Sequence, residues 1–197
     1  LDISVTKSNK DIDYELIEDI ASECFMPLAY GGGVKTIEDF KRLYAVGIEK
    51  VIVNTLIFDD PDIVKQAANK FGNQSVVASV DVTRNSDNKF DLYSHSGREN
   101  TLNFEDHLNY IISLNVGEIL ITSVDNEGTW LGYDKELISK VDHLVDIPVI
   151  ANGGCGKNID LTDVLYQTNV QAAAIGSMAV YQKKDMGVLI RFPKRNQ

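Results

Sequence analysis

The feature that most constrains the fold of this 197-residue chain is an internal repeat. Displaced by 121 positions, Asp13, Glu15, Leu16 and Ile17 fall on Asp134, Glu136, Leu137 and Ile138. Pro27 falls on Pro148, and Gly32 and Gly33 fall on Gly153 and Gly154, with no gap needed. Shared patterning alone seldom puts a proline and a glycine pair in register, and a repeat is weighed before any fold is chosen. The runs MPLAY (26–30), KVIVN (50–54), SVVASVD (75–81), EILITSVD (118–125), IPVIA (147–151) and AAAIG (172–176) are short, apolar and rich in β-branched residues, which predicts buried strands. LDIS at 1–4 reads as the end of another. Stretches with helical spacing separate them, at 14–22, 36–46, 60–71, 103–114, 135–144 and 160–167. Four βα units per repeat, taken twice, make eight. The expected fold is therefore an α/β (βα)8 TIM barrel built from two half-barrel repeats, of about 242 residues plus ends. Seven strands are legible, so residues 1–197 read as a single barrel domain that lacks strand 1 and helix 1 before Leu1 and the last helix after Gln197. Unpaired barrel edges invite self-association.

Charge narrows the function. Nineteen Lys and Arg oppose 29 Asp and Glu, a net charge of −10. Phosphate neutralisation along a nucleic acid needs clustered Lys and Arg, so a general nucleic-acid binder is excluded. No apolar run approaches the roughly 18 residues of a membrane span, and no signal peptide opens the chain. Cys24 and Cys155 form no CxxC and read as reduced thiols of a cytoplasmic protein. His95, His107 and His143 have no metal spacing and read as solvated or partly buried. No metal and no cofactor are expected. The stretch 84–101 is longer than a plain βα loop, and KFDLYSHS within it reads as a small hairpin.

Two glycine clusters carry the chemistry. Gly31–Gly33 ends one strand before a helix, and Asn152, Gly153 and Gly154 do so in the second repeat. Glycines there let backbone N–H groups approach an anion, and the helix N-terminus adds favourable partial charge. Each cluster has a companion at the next strand end: Asn54 and Thr55 for the first, Gly176 and Ser177 for the second. The second pair follows strands 7 and 8, the usual phosphate position of barrels. A single GGG is equally a tight turn, whereas two related cradles imply an elongated substrate with a phosphate at each end. Asp81 closes its strand at the barrel rim, where a general acid or base is expected, the alternative being a loop cap. Thr122, Asp125, Glu127, Gly128 and Thr129, at and after the sixth strand, either bind substrate or form a turn. Ser96 and Gly97 sit where a long loop would cover a ligand, and Trp130 either covers the mouth or packs there. At the other end of the strands, parity points Lys50 and Glu118 inward at the floor. They read either as a bridge that closes it or as a gate for a small polar molecule.

The blocks PLAYGGGVKTIEDF, GIEKVIVNT, VVASVDVTR, YSHSGRENT, GEILITSVDNEGTWLGYD and PVIANGGCG together resemble the cyclase subunit of imidazole glycerol phosphate synthase, a histidine-pathway enzyme. They span nearly the whole chain in the family's order. The segment ASECFMPLAYGGGVKTIED is particularly similar to paralogs that make amidinated sugars for bacterial surface polysaccharides. The sister isomerase of histidine synthesis shares the half-barrel repeat, but GEILITSVDNEGT and KVIVNT are more like the cyclase.

The resemblance implies a lyase. Ammonia from a separate glutaminase subunit enters at the floor and attacks a bisphosphate ribulosyl-carboxamide at the mouth. The products are imidazole glycerol phosphate and an aminoimidazole carboxamide ribotide. Two aspartates act as acid and base; Asp81 matches the one on strand 5, and the one on strand 1 falls before Leu1. Gly33, Asn54 and Thr55 match one phosphate site, and Gly153, Gly154, Gly176 and Ser177 the other. Lys50 and Glu118 match charged residues of the ammonia gate. Glu49 falls where the family usually has an Asp that contacts the glutaminase. Departures are Glu127 for an Asp, Asn152 for a Ser, Cys155 for an Ala and Gly176 for an Ala. Two alternatives remain at this stage: the polysaccharide paralog, and a non-catalytic scaffold that activates a glutaminase.

Overall fold

The computed structural model describes Leu1, Asp2, Val5 and residues 10–94, 102–181 and 187–190. The described residues divide into two compact units, one of residues 1–79 and 110–118, the other of residues 80–109 and 119–197.

In the first unit, helix α1 (Tyr14–Glu23) precedes strand β1 (Ala29–Gly31), helix α2 (Ile37–Ala45) and strand β2 (Lys50–Val53). Helices α3 (Thr55–Asp59) and α4 (Pro61–Phe71) lead through a 3-10 turn (Asn73–Ser75) into strand β3 (Val76–Arg84), which runs on into the second unit. β1, β2 and β3 are parallel neighbours, with Ala29 beside Lys50 and Val51 beside Val76. Phe40, Leu43, Val51 and Val64 are fully buried and form the core of this unit.

The second unit holds the rest of β3, strand β4 (Phe90–Leu92), strand β5 (Glu118–Ser123, apart from its first residue), helix α6 (Lys135–Leu144), strand β6 (Val149–Asn152), helix α7 (Asn158–Gln167), strand β7 (Ala172–Ala173) and helix α8 (Ser177–Val180). Helix α5 (Phe104–Ser113) begins in this unit. β5, β6 and β7 are parallel, with Ile119 beside Val149 and Ile150 beside Ala172. β4 turns back antiparallel on β3, Val82 facing Leu92, so the hairpin is made with the end of β3; of the KFDLYSHS segment expected to form one by itself, β4 is a single arm, and His95 and Ser96 lie outside the described residues. Asn88 makes the hairpin turn with a left-handed φ of 59°, which Asn tolerates better than most residues. Asn85 Oδ1 accepts from the N–H groups of Asp87 and Lys89.

The repeat is visible in the local chemistry. Asp13 caps α1 by accepting from Leu16 N–H at 3.0 Å, and Asp134 caps α6 from Leu137 N–H at the same distance. Asp39 Oδ2 accepts from the N–H groups of Lys35 and Thr36 ahead of α2, and Asp160 Oδ2 accepts from those of Gly156 and Lys157 ahead of α7. Asp39 and Asp160 lie at the 121-residue offset too, a further identity of the repeat. Apart from the β4 arm, each unit is a run of parallel strands and helices, the α/β half-barrel organisation that the repeat predicts.

The strand boundaries shift by a few residues. β3 reaches Arg84 because the hairpin extends its pairing, whereas β7 shrinks to two residues. Of the strand expected at 1–4, Ile3 and Ser4 lie outside the described residues; Asp2 N–H donates to Gly31 O at 2.6 Å. No helix among the described residues is long and apolar enough to cross a membrane.

His107, on α5, is fully buried rather than solvated, while His143 is exposed and His95 lies outside the described residues. Burial pushes the His107 pKa down to about 4. The unfolded chain takes up that proton near pH 6.5, the folded one only near 4, so this contribution to stability is full above 6.5 and is lost as the pH falls toward 4. The expected loss is on the order of 3 kcal/mol. Urea unfolding at pH 7 and pH 4.5 tests it: His107→Leu should flatten the acid slope, and an unchanged slope would refute the assignment.

Candidate functional site

The first unit carries one glycine cradle. Gly32 and Gly33 follow β1 with φ of 127° and 69°, the left-handed region that favours glycine. Gly31 lacks room as well: a Cβ there would lie 2.6 Å from Leu1 Cδ2 and 2.8 Å from Ile52 O. Side chains at Gly32 and Gly33 would strike Asp2 and Val5, so these glycines also let Asp2 and Val5 pack closely. Asn54 stands at the end of β2 as the N-terminal flank of α3, and Thr55 is exposed beside it.

The opposite ends of β2 and β5 bear Lys50 and Glu118. Lys50 Nζ forms an ion pair with Glu118 Oε1, with side-chain exposures of 38% and 18%. Val51 and Val53 are buried on the other face of β2. Neighbouring Glu49 is exposed, its N–H donating to Leu28 O at 2.8 Å.

The second unit carries the second cradle, opening on a shallow cleft. Glu127, Gly128, Asn152, Gly153, Gly154, Gly176 and Ser177, all named as candidates from the sequence, line it. Gly153 and Gly154 have φ of 97° and 96°. A Cβ on Gly153 would come within 2.7 Å of Ser123 O and 3.5 Å of Glu127 Oε2, which puts the Glu127 carboxylate at the cleft wall. Among the described residues, no atom lies within 4 Å of where a Cβ on Gly176 would stand. Asn152 Nδ2 donates to Thr122 Oγ1 at 3.1 Å, tying the two polar strand ends together. Ser177 begins the short helix α8, just as Thr55 begins α3. Those two helices have no apolar period long enough to be read from sequence.

Three cleft-lining residues were not among the expected binding residues: Cys155, Ala174 and Trp130. Trp130 adopts φ 66°, rare for a bulky residue, and its backbone presses on Gly156, where a Cβ would lie 2.8 Å from Trp130 Cβ. Tyr133 Oη donates to Ala174 O at 2.7 Å and fixes that wall. Burial raises both the Tyr133 hydroxyl and the Cys155 thiol above their ordinary values, so both are neutral near pH 7. Cys155 Sγ lies 3.6 Å from Met178 Sδ.

Asp81 lies within β3, half-buried, and its carbonyl accepts from Tyr93 N–H at 2.8 Å. Ser79, two residues earlier on the same face, is buried. Asp125 is engaged by β3: it accepts from Thr83 Oγ1 at 2.8 Å and Arg84 N–H at 2.7 Å. Ser96 and Gly97 lie outside the described residues.

The family described as "Histidine biosynthesis protein" matches residues 1–185. The imidazole glycerol phosphate synthase subunit HisF of Lactococcus lactis subsp. lactis (strain IL1403) is 42% identical over 183 residues, covering 92% of this chain and 71% of its own. The subunit of that name from Methanococcus vannielii is 34% identical over 219 residues, covering 100% of this chain and 80% of its own.

Proposed function

Because this chain belongs to the histidine biosynthesis protein family, we propose that it is a lyase, the cyclase-type subunit of an imidazole glycerol phosphate synthase. Ammonia delivered by a glutaminase subunit attacks a bisphosphate ribulosyl-carboxamide, and cleavage with ring closure yields imidazole glycerol phosphate and an aminoimidazole carboxamide ribotide. The observation that carries this reading is the pair of cradles with left-handed glycines at one 121-residue offset. One built anion site suits many phosphates; two related ones suit a substrate with a phosphate at each end. Gly32, Gly33, Asn54 and Thr55 bind one phosphate. Gly153, Gly154, Gly176 and Ser177 bind the other, with Gly128 and Asn152 beside them. Thr122 and Glu127 orient the polar groups between, and Asp81 transfers the proton. The test supplies the full-length protein with that bisphosphate and an ammonium salt. Formation of imidazole glycerol phosphate is expected, and its absence at saturating ammonium refutes the reading.

The Lys50–Glu118 pair serves as the ammonia gate, and Glu49 meets the glutaminase. Two charges held together are an expensive way merely to close a floor. Lys50→Met should cut glutamine-driven turnover in the complex at least about tenfold, while added ammonium restores the parent rate. A bridge that only closes the floor would instead lower both rates alike.

A second reading, an ammonia-using subunit that forms an amidino sugar for surface polysaccharide, draws on Glu127. Its longer side chain stands at the cleft wall where the family usually has Asp, and reshapes what fits beside the phosphate. Turnover of a nucleotide-linked or lipid-linked sugar, with none of the bisphosphate, would favour it.

A further inference from the structure

The carboxyl end of β3 is held in a way that local turn chemistry does not require. Beyond Asp81, Val82 O accepts from Val124 N–H at 2.8 Å. Both oxygens of the next side chain, Asp125, are then taken: Oδ1 by the Thr83 hydroxyl at 2.8 Å and Oδ2 by the Arg84 N–H at 2.7 Å. A carboxylate accepting from donors on another strand is a strong, directional tie. The Arg84 side chain makes its own attachment, with Nη2 at 3.0 Å from Asp134 Oδ2 and 3.0 Å from Glu136 Oε2. Its guanidinium lies 4.4 Å from the centre of the Phe90 ring. Thr83 shares the face of Asp81, two residues away. Two residues after Asp125, Glu127 reaches the wall of the cleft at Gly153.

We propose that Asp125 is a positioning residue: by binding Thr83 and Arg84 it fixes the spacing between Asp81 and the anion cleft. A proton-transfer group displaced by about 1 Å loses much of its rate. The loop after β5 carries the cleft residues, β3 carries the acid or base, and Asp125 joins the two. The inference rests on the proposed cyclase reaction.

The test compares Asp125→Ala, Asp125→Asn and Thr83→Val with the parent full-length protein at saturating ammonium. For Asp125→Ala we expect kcat to fall at least about tenfold, with KM for the bisphosphate within about threefold, because the cleft itself is intact. The pH midpoint of kcat should shift, because the surroundings of Asp81 change. Asp125→Asn keeps one acceptor and should recover part of both effects. A merely structural role would lower the active fraction and Tm but leave the pH midpoint and kcat per active site unmoved; that result overturns the proposal. Should Asp125→Ala fail to fold, Thr83→Val breaks one bond of the tie and must show the same midpoint shift, smaller in size; an unmoved midpoint again overturns it. Asp81→Asn, run alongside, separates the two failures. If it is inactive while Asp125→Ala matches the parent, only the positioning role falls. If the parent itself has no turnover, both fall.

Discussion

Asp81→Asn should lower ammonia-dependent kcat by about 10²- to 10⁴-fold, the range expected when a general acid or base is removed. The substitution keeps the shape of the side chain and removes only its charge and its ability to exchange a proton. The backbone at this position is fixed independently of the carboxylate, by Tyr93 N–H on Asp81 O and by the β3 ladder. Tm should therefore move little, and substrate affinity should stay within about threefold. Steady-state kinetics with an ammonium salt, together with a thermal melt, decide the matter. Normal turnover would remove Asp81 from the reaction. A drop in Tm that accounts for the whole loss of rate would make it a loop cap, the other role the sequence leaves open.

The parts of the molecule read from sequence are those with a local or periodic signature. Asp13 and Asp134 repeat because the same cap is needed at the same point of each half, three residues before Leu16 and Leu137. The strand period of two puts Lys50 on the face of β2 opposite the buried Val51 and Val53, and there it meets Glu118 of β5. The glycines at 32, 33, 153 and 154 are legible because a left-handed backbone leaves few other choices. What escaped has no period. Arg84 finds Asp134 fifty positions along the chain, a pairing that depends on how far the hairpin carries β3. Burial of His107 depends on what packs over α5, and its helical spacing alone does not reveal it. Trp130 enters the cleft wall through a left-handed φ that favours glycine and that no tryptophan advertises in sequence. Asp125 was readable as either a substrate ligand or a turn residue, and the choice rests on Thr83 and Arg84, which lie on another strand.

Two glycines of the second cradle should respond very unequally to the same added methyl group. Gly154 has φ 96°, and a Cβ there would lie 3.0 Å from Asn126 Cβ and run into the carbonyl of Gly132. That carbonyl already accepts from Asn126 Nδ2 at 2.9 Å, and the Gly132 N–H donates to Gly154 O at 2.8 Å. An alanine at 154 therefore meets backbone strain and a wall that is itself hydrogen-bonded, so little can give. Gly154→Ala should cost about 2–4 kcal/mol of stability and weaken inorganic phosphate binding at least about tenfold as the cradle N–H groups turn away. At Gly176 the φ of −119° lies outside the left-handed region, and no atom of the described residues lies within 4 Å of the added carbon. Gly176→Ala should leave stability within about 0.5 kcal/mol and phosphate affinity within about threefold. Urea titration and phosphate-binding calorimetry on both variants make the comparison. The contrast matters because a general sensitivity of the fold would affect the two positions alike, whereas a cradle built from backbone N–H groups depends on the conformation of Gly154 and not on the bareness of Gly176. Equal losses, or an unharmed Gly154→Ala, would mean that the backbone at the end of β6 does not hold the anion.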